Sequence, residues 1–551
     1  MKNSLKKIGL GILSAMTFVA CETTDLDLTD NPNALIPSQA DVNFYTTAIQ
    51  LNYVNFVESM GVTGGQITRQ EVFFDRNYLN AYAPIAFDGE WDDVYRGILT
   101  NLKAMRPVAQ ENELFNHLGV AEVLAADAMI TLVDYFGPVP FTEALAAEEG
   151  VFNPAPDSGE EVYAAALEML NTAIANFNKG ATAELASDFF YGNDYDNWIK
   201  LANTLKMKIY LQTRLVNPSA VSEFNAIVTS GNYIDETSED FEFRWGNNEN
   251  QPDTRHPRYA DDYTPTGAGN YQSNWLMNLM QTTNDPRLQY YFYRQTSVVP
   301  GQDGAEPNEE TIDCSLETAP QHYLDGDFTF CALSNGYWGR DHGDDSGIPP
   351  DGFFRTAIGV YPAAGNFDDG RFDDVQQGGG GQGAGITPIM LASWVDLMQA
   401  EMAAISNPAA AKPFLISALE KSIAKVQSFG ALDASADLDT APTDAQVDAF
   451  TALIDGSFDA ASDSEKWDII GEQLIVTTFG NGTSAFNFYR RTGFPTTLQP
   501  NREPNPGSVI RSLRYPANAA NNNSSIEQRQ NVTFQVFWDN NPASPAFPIA
   551  N

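Results

Sequence analysis

DNWIKLANTLKMKIYLQTRLV, residues 196–216, carries apolar side chains at Trp198, Leu201, Leu205, Ile209 and Val216. Steps of three, four and seven bring such residues to one face of an α-helix, which turns once every ~3.6 residues. The reading extends upstream. Tyr163, Leu167, Leu170, Ile174 and Phe177 form a second stripe, and Val123, Ala126, Ile130 and Val133 a third. Residues 44–60 and 92–105 also predict helices. The links are short and marked by Pro and Gly, as in FGPVP at 136–140 and NPAPDSG at 153–159. Successive helices with short links predict antiparallel pairs stacked as in a helical repeat array. No clean repeat signature accompanies them.

Downstream the character changes near Gly231. Residues 241–295 hold 11 aromatics in 55 positions, against 12% in the whole chain, so the enrichment is local. Residues 300–385 are rich in Gly, Pro, Asp and Asn and predict long ordered loops around short elements. Helices return at Thr387, with Leu391, Trp394, Met398, Met402 and Ile405 on one face, and again over 410–429 and 464–479. The C-terminal stretch is irregular and ends in TFQVFW, 533–538, which reads as a short strand.

The N-terminus sets the compartment. Lys2, Lys6 and Lys7 precede an apolar run, IGLGILSAMTFVA, that stops at Cys21. Thirteen residues rise only about 20 Å as a helix, short of the ~30 Å of a bilayer core. The segment therefore reads as a signal peptide, residues 1–20. Phe18-Val19-Ala20-Cys21 resembles a bacterial lipobox, which makes Cys21 the lipidated mature N-terminus and 21–37 an acidic tether. The lipobox pattern favours Leu where this chain has Phe18. The chain has 551 residues and a net charge of −41. That charge repels phosphate backbones and anionic membrane surfaces, so nucleic acid is excluded and lipid contact is left to the anchor. With Cys21 acylated, Cys314 and Cys331 remain as an even pair in an oxidising compartment, which predicts a disulfide.

Catalytic signatures are sparse. There is no GxSxG and no HExxH, and the histidines are His117, His256, His322 and His342. QGGGGQGAGI, 377–386, lacks the residues of a phosphate-binding loop and reads as a flexible surface loop. In RDHGDD, 340–345, Asp341, Asp344 and Asp345 with His342 are either a metal site, calcium being the ion that needs only oxygen ligands, or a solvated acidic turn. FDDGRFDD, 367–374, poses the same choice. Trp245, Tyr259, Tyr263, Tyr271, Trp275, Tyr337 and Trp338 stand among amide and charged residues. Such rings either stack on a sugar or peptide or pack the loops onto the helices. Trp245, Tyr263, Tyr271, Trp275, Tyr337 and Trp338 are the ligand-binding candidates. Carboxylates are abundant enough that an exported carboxylate-dependent glycoside hydrolase stays open as the alternative.

EWDDVYRGILTNL (90–102), VLAADAMITLVDYFGPVPFTEAL (123–145), NPAPDSGEEVY (153–163), DNWIKLANTLKMKIYLQTRL (196–215) and NFYRRTGFPTTLQPN (487–501) together resemble the SusD/RagB family of outer-membrane nutrient-binding lipoproteins, in its SusD-like branch. The resemblance implies a mostly α fold, with a tetratricopeptide-like helix-pair scaffold at 38–230 and 387–490. It implies a loop-rich ligand face at 231–386, a few short strands and an irregular C-terminal segment, 491–551. It further implies a cell-surface protein without catalytic activity or cofactor, which passes oligosaccharides or peptides to a SusC/RagA-like TonB-dependent transporter. Of the family's functional positions only Cys21 carries over.

Overall fold

The computed structural model describes residues 41–299, 313–347 and 349–542. The signal-peptide, Cys21 and tether expectations lie outside the described residues. The helices are α1 (Val42–Ile67), α2 (Thr100–Glu111), α3 (Phe115–Phe136), α4 (Gly159–Lys179), α5 (Tyr195–Thr213) and α6 (Ala220–Ser230) in the first half. Across the loops follow α7 (Pro257–Asp262) and α8 (Asn274–Thr282). The second helical block holds α9 (Ala392–Ala404), α10 (Lys412–Gln427), α11 (Asp444–Ala460), α12 (Asp463–Thr477) and α13 (Thr483–Thr492). Neighbours in sequence pack on one another, α3 on α4, α4 on α5 and α5 on α6, in a mostly α scaffold of tetratricopeptide type.

Central to this scaffold is α3. Every residue from Asn116 to Phe136 is buried, the mark of a helix enclosed on all sides. Its acids are therefore matched by protein donors. Asp127 accepts from Tyr53 Oη at 2.7 Å and Lys208 Nζ at 2.9 Å. Glu122 accepts from Arg106 at 2.6 Å and Asn176 at 2.8 Å. Asp134 accepts from Tyr163 on α4, Gln212 on α5 (2.9 Å), Asn487 on α13 (2.8 Å) and the Trp538 indole (3.0 Å). One carboxylate thus ties four separate parts of the chain. The start of α4 follows from its sequence: Ser158 and Glu161 form a capping box, each side chain accepting from the other's main-chain N–H.

Among the described residues eight short strands hold the loops: β1 (Phe241–Arg244), β2 (Tyr263–Thr264), β3 (Gly267–Ala268), β4 (Gln272–Ser273), β5 (Phe292–Tyr293), β6 (Gly339–Arg340), β7 (Ala357–Ile358) and β8 (Ile386–Met390). Antiparallel pairing of β1 with β8, Phe241 opposite Met390 and Arg244 opposite Ile386, closes the loop-rich excursion at its base. Cys314 and Cys331 are bonded, with Cα atoms 5.7 Å apart. Replacing both by serine is expected to lower stability by about 3 kcal/mol, from the loop entropy that the bond removes from the unfolded chain. Equal urea midpoints for variant and wild type would remove that contribution.

Several expectations are corrected. The 92–105 helix is interrupted by a π-helical turn at Asp93–Leu99 before α2 begins. Val216 lies beyond the end of α5 and is 43% exposed. Thr387 does not start a helix: the apolar run ITPIM is β8, bound to β1, and α9 begins at Ala392. TFQVFW is not a strand. Residues 533–536 are irregular and 537–538 form a turn, closed by the Asp539 N–H on the Val536 carbonyl at 2.9 Å; Val536 and Trp538 are buried and Phe534 is exposed, an alternation that mimics a strand's. The glycine run is a packed loop rather than a free one. A Cβ on Gly380 would sit 2.2 Å from the Gly365 carbonyl oxygen, and one on Gly385 2.0 Å from that of Pro362.

Candidate functional site

Where the end of α1 meets the loops there is a polar cavity of about 160 Å³. Val62 and Gln66 come from the last turns of α1, and Glu71, Val72 and Phe74 from the segment after it. The second wall is α7, with Arg258, Asp261 and Asp262. Asn270, Tyr271 and Gln272 lead into β4, and Ile358 ends β7. A two-residue bridge, Glu71 to Gln272, joins the α1 side to the loop side. Phe74 is 44% exposed and supplies an apolar lip.

The cavity's charges are unequal. Arg258 donates to Glu58 at 3.0 Å, to Glu71, and to the Gly480 carbonyl at 3.0 Å. Glu58 also accepts from Thr387 Oγ1 at 2.6 Å. Burial raises the Glu58 pKa, but Arg258, His256 and Thr387 outweigh it and hold the group below its ordinary value. For Glu71 burial wins over Arg258, helped by the Glu58 charge, and its pKa rises. Asp262 is pushed up to about 7, by burial above all, although its two oxygens accept main-chain N–H groups from Ile358 (2.6 Å) and Asn270 (2.9 Å). Burial also pushes neighbouring His256 down to about 4, so it is neutral at physiological pH. This set of convergent acceptors, with carboxylates displaced from their ordinary titration, marks a binding-site candidate.

The aromatic candidates fall elsewhere, with one exception. Tyr271 lines the cavity, but its ring is clasped by Arg340 and Arg355, each 4.3 Å from the centroid, and its hydroxyl donates to Asp351 at 2.6 Å. Tyr263 is buried against Tyr259, centroids 4.3 Å apart. Trp275 is buried and donates to the Thr497 carbonyl at 2.8 Å. Tyr337 is buried under Arg294. Trp338 is buried against Phe354 and donates to the Val298 carbonyl at 2.7 Å. Five of the six candidates are therefore interior rings that pack the loops. Trp245 alone is half-buried, its indole N–H on Thr387 Oγ1 at 2.9 Å.

The acidic turns are likewise engaged by protein. Asp341 is buried and accepts from Asn274 (2.9 Å), Gln499 (2.9 Å) and the Cys331 N–H (2.7 Å). Asp344 pairs with Arg502 at 2.6 Å and Asp345 with Arg76 at 2.5 Å. In FDDGRFDD, Asp368 binds Arg294 and Asp369 binds Arg371. Sequence reading missed Glu71, Asp261, Asp262, Asn270 and Gln272. The only local signal was RYADDY, 258–263, an acidic pair inside the aromatic stretch.

Solved structures with the same architecture define the class. A SusD/RagB family protein from Bacteroides thetaiotaomicron superposes with a TM-score of 0.64 at 18% identity, over 91% of this chain and 99% of its own. A chitin-binding SusD homolog from Flavobacterium johnsoniae gives 0.61 at 17%, over 91% and 99%. A Bacteroidetes SusD-like protein gives 0.63 at 18%, over 91% and 100%. The fold is that of the SusD homologs. Residues 38–311 match the SusD-like family model described as starch-binding associating with outer membrane, and the chain belongs to the SusD/RagB family. No curated protein matches it. Among the described residues no helix is long and apolar enough to cross a membrane.

Proposed function

We propose that this protein is a lipid-anchored, surface-facing binding protein that captures oligosaccharides, with peptides as the second ligand class, and hands them to a SusC/RagA-like TonB-dependent transporter. The observation that carries the reading is the acceptor-rich cavity at the loop face of a chain whose family is described as starch-binding. Clustered carboxylate and amide oxygens suit the hydroxyl donors of a sugar, and Phe74 offers an apolar surface to its ring face. The chitin-binding relative supports a glycan as the first ligand class.

The protein acts by binding, not by catalysis. A glycosidase needs one carboxyl to protonate the leaving oxygen and a second to activate water or attack. Here both Asp262 oxygens accept main-chain N–H groups and Glu71 is held by Arg258, which leaves Asp261, exposed at the rim, as a single carboxyl where two are needed. Incubated with maltooligosaccharides and chitooligosaccharides, the protein is expected to bind at least one class and leave every chain at its starting mass. Shortened products would favour the hydrolase reading.

Anchoring rests on Cys21. The Cys21→Ala variant is expected to leave the membrane fraction and to take up no acyl label; a membrane-bound, labelled variant would contradict it. The transporter should co-purify after mild detergent extraction, since stable complexes of this kind bury on the order of 2,000 Å². Isolation only as a free monomer would count against the partnership.

A further inference from the structure

A larger groove, of about 480 Å³, opens where α2 faces the 141–149 stretch and α4, and it shares no residue with the polar cavity. Its volume falls within the ~300–1,000 Å³ of small-molecule sites. Its walls are apolar: Leu102 from α2, Phe141 and Leu145 from the opposite stretch, and Met169 from α4. Phe141, Leu145 and Met169 are only half-buried, so each leaves apolar surface to be covered. The polar groups are few and mostly donors. Lys103 and Arg106 stand three apart on α2 and so share a face. Lys103 Nζ donates from the α2 wall to the Leu145 carbonyl at 2.5 Å, and pairs with no carboxylate among the described residues. Arg106 donates through Nη1 alone, to Glu122 at 2.6 Å, and its side chain is 40% exposed. Two Lys103 N–H groups and the Nε and Nη2 edge of Arg106 therefore have no acceptor among the described residues. Glu149, exposed at the rim, is the one acid of the lining, in a chain of net charge −41.

We propose that this groove is a separate binding site for a medium-chain fatty acid, with its carboxylate on Lys103 and Arg106 and its alkyl chain along Leu102, Phe141, Leu145 and Met169. The proposal goes beyond the glycan reading and does not depend on it. A sugar carries hydroxyls on every side and would bury several of them against apolar walls without partners. An alkyl chain needs only the walls. A carboxylate accepts charge-assisted hydrogen bonds from both cations, which a hydroxyl accepts more weakly. The volume equals roughly sixteen water molecules at ~30 Å³ each, room for the dozen or so heavy atoms of decanoate.

Calorimetric titration of the full-length protein with decanoate and with decanol, each below its micelle or solubility threshold, tests this. Decanoate is expected to bind at one site, about tenfold or more tighter than decanol, a difference of ~1.4 kcal/mol. Lys103→Met keeps the apolar stem and removes the charge. It should bring decanoate to within about threefold of decanol and leave decanol unchanged. Ala144→Phe fills the groove from the wall opposite α2 and should abolish binding of both. Lys412→Met, at the start of α10, should change neither. Lys103 is exposed, so its variant stays informative where circular dichroism shows Ala144→Phe to be misfolded. Equal binding of decanoate and decanol by the wild type overturns the proposal, as does a preference that survives Lys103→Met or is lost in Lys412→Met. Binding that persists in folded Ala144→Phe places the ligand elsewhere and overturns it. Binding of neither probe overturns it and leaves the groove to a protein partner. Glycan capture is read separately, with the oligosaccharides above, and stands or falls independently of these outcomes.

Discussion

Asp134→Leu is expected to destabilise the protein by more than about 4 kcal/mol, read as a fall in the urea midpoint, and to leave little soluble protein. Leucine's bulkier methyl groups add some overpacking, but the side chain is fully buried and shares leucine's branched shape and heavy-atom count, so a lost cavity filling is not the main cause. Hydrogen bonding is. Tyr163, Gln212, Asn487 and Trp538 all donate to this carboxylate from α4, α5, α13 and the C-terminal segment. Each buried donor left without a partner costs about 1–3 kcal/mol, and four in one place cannot all find another acceptor or reach water. Arg490 adds to the loss. It is buried beside Asp134, donates to that residue's main-chain carbonyl at 2.6 Å and stacks on Trp538. Burial lowers its pKa to about 10, against the opposing Asp134 and Asp539 charges. Asp134→Asn keeps one acceptor oxygen and should lose about half as much. A leucine variant within about 1 kcal/mol of wild type would mean that the four donors are dispensable to the fold.

The position explains why DYFGPVPFTEAL was legible. Tyr135 donates to the Met60 carbonyl at 2.7 Å, and Val139 bonds Asp157 in both directions. The carbonyls of Pro138 and Pro140 receive Tyr515 and Tyr95. YRRTGFP is the opposite half of the same junction, Arg490 reaching Asp134 and Arg491 reaching Glu401 at 2.8 Å. Helical stripes were readable because each has one dominant period. ITPIM was not, since a short apolar run before a helix has none, and only its pairing with β1 makes it a strand. The aromatic loops showed that ordered structure was present but not what the rings do. The loops fold on themselves, so Tyr263, Trp275, Tyr337 and Trp338 serve as their core. The cavity was invisible for a different reason. Glu71, Asp262, Gln272 and Ile358 come from four stretches that meet only through tertiary contacts, and no spacing encodes that.

Removing the single cation of that cavity should be nearly as damaging as losing Asp134, with a pH signature. In wild type, Arg258 holds Glu58 below its ordinary pKa, and that contribution is present above the ordinary value and lost as pH falls through the lowered one. Glu71 behaves oppositely: its raised pKa means ionisation already carries a cost at neutral pH. In Arg258→Met both carboxylates remain largely buried and face each other without a counter-charge. Their folded pKa values rise, and the penalty for keeping them ionised grows by ~1.4 kcal/mol per pH unit per group until each folded value is reached. The expected loss is therefore about 3–5 kcal/mol at pH 8, the usual result of breaking a buried pair, and under about 2 kcal/mol at pH 5, where both groups take up protons. Arg258→Lys keeps the charge but not the three-way geometry to Glu58, Glu71 and Gly480, so it should fall between. Adding Glu71→Gln to Arg258→Met should recover part of the loss at pH 8 and almost none at pH 5. A destabilisation equal at both pH values would show that Arg258 acts through packing alone.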